Sequence, residues 1–149
     1  TEAFRALVLT SVALGLTLGL ISYKAIRLKA TSPDRIVLEL RLAQFSALLL
    51  ALVSGVYVGF SVIYEGTAGT GFDIALATGF FVVAALATTR EPIRALTVIA
   101  IAWGAHCLVD LSHIANLLPS SIVPTWYSTA CAIYDVVIAG ICYIPVLRR

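Results

Sequence analysis

Apolar runs of about 20 residues, the length that crosses a bilayer core, follow one another along the whole chain. They predict five spanning helices, over about 4–26, 36–64, 72–88, 93–117 and 124–147, within a single transmembrane domain covering 1–149. The polar stretches between the runs carry helix breakers: Thr31-Ser32-Pro33-Asp34, Glu65-Gly66-Thr67-Ala68-Gly69, Arg90-Glu91-Pro92, and Pro119 through Pro124. Pro33 and Pro92 stand where a helix begins, with Ser32 and Thr89 as the expected caps. Connections this short make consecutive helices antiparallel neighbours. The expected fold is therefore an all-α integral membrane protein, a compact up-down bundle of five transmembrane helices.

Basic residues orient the bundle. Lys24, Arg27, Lys29, Arg35 and Arg41 surround the first connection, Arg90 and Arg94 flank the third, and Arg148 and Arg149 close the chain, leaving Arg5 alone on the other side. Positive charge is retained in the cytoplasm, so the N-terminus is expected outside and the C-terminus inside, in a bacterial inner membrane. The formal charge of +2 is too small for a nucleic-acid footprint. Small residues recur every four positions at Ser11, Gly15 and Gly19, and again at Ala51, Gly55 and Gly59. That spacing lets helix backbones approach closely, and packing within one chain is the expected use.

Against so apolar a composition, four ionisable residues stand out. The chain is 60% hydrophobic and only 12% charged, yet His106, Asp110, His113 and Asp135 fall inside the last two apolar runs. An aspartate at the centre of a membrane helix costs roughly 2.5–3.5 kcal/mol on the insertion scale, so such residues mark sites. At 100° per residue, His106, Asp110 and His113 lie within about 60° on one helix face, with Trp103 beside them. Ser128, Cys131, Asp135 and Cys142 share a face of the next helix. Counting 1.5 Å per residue from the intervening connection puts Asp135 near the depth of His106, and Cys131 near that of Asp110.

Two histidines and two aspartates suit a divalent transition metal (zinc, iron, manganese or copper), and the same groups suit acid/base or proton-relay chemistry. The bland reading is a buried hydrogen-bond network that fixes helix packing. His106, Asp110, His113 and Asp135 are thus the candidates both for metal ligands and for catalytic groups. Trp103, Trp126, Tyr127, Cys131 and Tyr134 are the candidate lining of a cofactor or ligand pocket, against the ordinary readings of interfacial belt and core packing. Tyr57 is read as packing, Glu65 and Asp73 as solvated loop acids, and Glu39 with Arg41 as an interfacial pair. Three cysteines, in no C-x-x-C pair, give no disulfide framework.

The last third of the chain resembles a family of small bacterial integral membrane proteins of unknown function. The resemblance rests on Trp103, His106, Asp110 and His113 on one helix, followed by Cys131 and Asp135 on the next. It departs at Ile114, where the family often carries a second, adjacent histidine. The likeness covers about 50 residues and implies that these polar residues form one site, but it implies no activity. The leading functional expectation is an intramembrane His/Asp site that binds a divalent metal or transfers protons, in an enzyme on a lipophilic substrate. A proton, cation or small-solute transporter or channel is the alternative, and an accessory subunit of a larger membrane complex is a third. A homo-oligomer and a lipophilic or small-molecule ligand are the further partners left open beside the bilayer.

Overall fold

The computed structural model describes residues 1–149, the side chain of Ala3 apart. It contains five helices: α1 (Glu2–Ile26), α2 (Pro33–Ile63), α3 (Thr70–Ala87), α4 (Pro92–Ile114) and α5 (Thr125–Leu147). Each is long and apolar enough to cross a membrane. Burial is inverted relative to a water-soluble protein. Leu48, Ile101, Leu108 and Ile133 are about two-thirds exposed, whereas Arg35, Glu39, Asp73, His106, Asp110 and Asp135 are buried. An apolar surface of this kind is consistent with a lipid surrounding.

Consecutive helices touch, and α1 closes the ring against α5, while α2 also reaches α4 and α5 across the middle. The pairings give the directions. Between α4 and α5, His106 meets Asp135 while Cys107 meets Ala132, an antiparallel contact. Between α2 and α4, Ser46 meets Trp103 and Tyr57 meets Asp110, a parallel one. Both agree with the expected up-down order.

Local chemistry sets the helix ends, and several differ from the sequence reading. Pro33 occupies the first turn of α2, so that helix begins three residues earlier than expected. Ser32 holds the capping position, but its side chain makes no capping hydrogen bond. Glu91, not Thr89, precedes α4, and the Thr89 hydroxyl instead donates to Leu86 O at 2.7 Å. α4 stops at Ile114 rather than near 117, because Asn116 takes a left-handed conformation (φ 54°) and the Leu117 amide folds back onto Ser112 O. Inside α5, Pro145 cannot donate to Ile141 O, and the Ser22 hydroxyl of α1 donates to that carbonyl at 2.8 Å.

The small-residue stripe of α1 lies against α5. A Cβ on Gly15 would sit 3.4 Å from the Tyr134 ring, and one on Gly19 3.8 Å from Ile141. On α2, Gly55 faces Phe81 of α3, while Gly59 faces open space. Gly69 is the tightest glycine: at φ +88° its Cβ would come within 2.6 Å of Pro119 C and Ser120 N. Gly69→Ala is therefore expected to destabilise by at least about 1–3 kcal/mol, from left-handed strain plus the clash. Gly59→Ala, mid-helix and unobstructed, is expected to gain about 0.5–1 kcal/mol. Unfolding in mixed detergent micelles checks both signs.

Candidate functional site

The cluster forms where α2, α4 and α5 meet, with α3 closing one side. His106 Nδ1 lies 2.8 Å from Asp135 Oδ2 and 3.4 Å from Asp110 Oδ2. One ligand atom from each of the three residues lies within 4.8 Å of the others, and all three side chains are buried. Asp110 arrives one turn above His106 on α4, and Asp135 crosses from α5 because the antiparallel contact sets the two residues at one depth. The Tyr57 hydroxyl of α2 donates to Asp110 Oδ1. Asp110 Oδ2 and Asp135 Oδ1 have no hydrogen-bond partner, and no lysine or arginine pairs with either carboxylate among the described residues. Two buried carboxylates thus share a single imidazole. This buried group could hold a metal ion.

His113, grouped with the others on the basis of helical phase, stands apart. It is stacked on Tyr57 (centroids 5.2 Å apart) and its Nε2 faces Asp73 Oδ1 at 3.4 Å. Seven residues along α4 is about 10 Å of rise, so His113 shares a face with His106 but meets α3 rather than α5. Asp73 corrects the sequence reading outright. It is not a solvated loop acid but is 1% exposed in the first turn of α3, with neither carboxylate oxygen hydrogen-bonded. The signal was in the phase: Asp73, Ala77, Phe80, Ala84 and Ala87 follow the 4-3-4-3 spacing of one inward stripe, buried at every position but the half-buried Phe80. Tyr57, read as packing, touches the cluster directly, whereas Glu65 is exposed as expected.

The aromatic candidates divide. Trp103 is fully buried beneath the cluster, its ring centroid 6.3 Å from that of His106, and its Nε1 donates to Ser46 Oγ at 2.8 Å. Cys142 donates to the same hydroxyl. These bonds fix the tryptophan that supports His106. Trp126, Tyr127, Cys131 and Tyr134 instead line a groove of about 350 Å³ bordered by α1, α2 and α5. Tyr134 also donates to Ser11 O, and Tyr127 packs edge-on against Tyr57. The three cysteines are all free thiols.

A second polar cluster lies at the opposite end of the bundle. Arg35 Nε donates to Glu39 at 2.7 Å, and its other nitrogens donate to Leu28 O, Pro145 O and Arg148 O. Arg149 reaches the second oxygen of Glu39 at 3.1 Å. The expected partner Arg41 is exposed, so the interfacial pair of the sequence reading is replaced by a buried one. Leu42, Leu50, Leu96, Ile99 and Ile138, all fully buried, form a dry layer of the core.

Compared with known protein families, curated proteins and solved structures, the chain shows no match.

Proposed function

We propose that this chain is a five-span membrane protein whose His106, Asp110 and Asp135 hold one divalent transition metal. A single observation carries the reading: two buried carboxylates converge on one imidazole, each with an unpartnered oxygen. Leaving two such charges in a dry interior is costly, and one imidazolium balances only half of them. A divalent ion balances both, and imidazole with carboxylates is a donor set for zinc, iron or manganese. Bound there, the metal would polarise an oxygen of a substrate or activate a water. The basic residues around the first and third connections support placing the site in the outer half of a bacterial inner membrane, with the N-terminus outside. The groove beside Cys131 and Tyr127 supports a lipophilic substrate approaching from the bilayer. Dialysis of metal-stripped protein against Zn²⁺ and Mn²⁺, followed by elemental analysis, is expected to return about one equivalent per chain. No uptake of either ion overturns the reading.

Proton transfer is the second reading, favoured by the Tyr57–Asp110 hydrogen bond that extends the cluster toward His113 and Asp73. The fully buried Leu42, Leu50, Leu96, Ile99 and Ile138 argue against proton conduction through to the far side. Proton flux into proteoliposomes that is abolished by Asp110→Asn would favour transport; its absence would remove it.

A further inference from the structure

Arg35, Arg94 and Arg149 each face a carboxylate, at 2.7, 2.8 and 3.1 Å. Lys24 of α1 and Arg41 of α2 are exposed and belong to no ion pair among the described residues. Glu39, the acid nearest Arg41 in the chain, is taken up by Arg35 and Arg149. Close by, Leu14, Thr17 and Leu18 of α1 and Phe45, Leu48 and Leu52 of α2 border an apolar groove of about 370 Å³. Phe45, Leu48 and Leu52 are exposed, so the groove opens on the outside of the bundle.

Helical geometry puts both cations at one end of it. At 100° per residue, Lys24 lies within about 20° of Thr17, and Arg41 within about 20° of Leu48 and Leu52. Ser22 donates to Ile141 O while Cys142 donates to Ser46, so Ser22 and Ser46 stand at nearly one level. From that level Lys24 is about 3 Å and Arg41 about 7.5 Å toward the first connection, and the groove runs the other way to Leu14 and Leu52. We infer that this face binds one anionic phospholipid, its phosphate between Lys24 and Arg41 and an acyl chain in the groove. Basic pockets between membrane helices take acidic headgroups in this way. The aliphatic stems of both residues lie on apolar surface while their charges meet the phosphate. A free phosphate would leave the groove without an occupant. A second copy, related by a two-fold axis parallel to the helices, would set Lys24 and Arg41 against their own counterparts. The site is independent of the metal.

Native mass spectrometry in neutral detergent, with phosphatidylglycerol and phosphatidylcholine of equal acyl length, reads the headgroup preference. Wild type is expected to hold one phosphatidylglycerol about 25-fold more tightly than phosphatidylcholine, from two cations each worth about fivefold. Arg41→Gln and Lys24→Gln should each lose about fivefold for phosphatidylglycerol and leave phosphatidylcholine unchanged. Leu48→Trp should weaken both lipids by filling the groove. Arg90→Gln, at the third connection, should change neither. All four positions are exposed, so the fold is retained. Cations that serve only to orient the bundle would not distinguish headgroups, so equal affinity for the two lipids overturns the proposal. An equal loss in Arg90→Gln and Arg41→Gln does the same. Displacement of the lipid by inorganic phosphate at matching concentration would reduce the face to an anion site, and a dimer that Leu48→Trp dissociates would put a second copy there. Either result also overturns it.

Discussion

Replacing Asp135 by asparagine is expected to lower metal affinity by more than about 100-fold, beyond the range seen when only a supporting partner of a ligand is lost. Asparagine keeps the size of the side chain and an oxygen that can accept from His106 Nδ1, 2.8 Å away in the wild type. What it removes is one of the two negative charges that a divalent ion would neutralise. The readout is thermal stability with and without Zn²⁺. Wild type at 100 times its dissociation constant should gain about 2.7 kcal/mol, and Asp135→Asn at the same concentration should gain almost nothing. Asp34→Asn changes an exposed acid at the start of α2 and serves as the control. An Asp135→Asn protein that binds Zn²⁺ like wild type would remove Asp135 from the ligand set.

The largest loss of stability is expected far from that cluster. Arg35 is 2% exposed, and its guanidinium joins Glu39, the connection after α1, and the last carbonyls of α5. Removing one member of a buried ion pair leaves the other uncompensated, at a cost of about 3–5 kcal/mol. Arg35→Met should therefore cost about that much in mixed-micelle unfolding. The double variant Arg35→Met/Glu39→Leu should recover a large part of it, since apolar replacement of a whole pair is often near neutral. Metal affinity should be unchanged in both, because the dry layer and the Trp103–Ser46 bond separate the two clusters. A single variant as stable as wild type would mean that Arg149 alone satisfies Glu39.

The five helices were legible because their apolar runs have the length of a bilayer core and are punctuated by Pro33, Pro92, Pro124 and Gly69. The start of α2 and the end of α4 were misplaced by three residues, because the proline at the first position of α2 and φ at Asn116 act within one turn and leave no trace in hydropathy, whereas the other ends fell within two residues of the reading. The meeting of His106 and Asp135 followed from counting rise along two antiparallel helices, which needs only the connection between them. The place of His113 did not follow. Helical phase states which residues share a face, but which neighbour they meet depends on where that neighbour begins. α3 carries Asp73 in its first turn, facing His113, and an acid beside a glycine-rich connection looks solvated unless its phase with Ala77, Ala84 and Ala87 is followed. Arg35 was hidden for a similar reason: a basic residue at a helix start counts toward topology, and its turn inward depends on the end of α5.

X-ray absorption at the metal edge of the purified, metal-loaded protein tests the central claim most directly. The expected shell has one imidazole nitrogen with carboxylate and other oxygens and no sulfur, although Cys107 is next to His106 in the chain and Cys131 is one turn before Asp135. Sulfur in that shell, a shell with no imidazole, or a protein that retains no metal at all would contradict it.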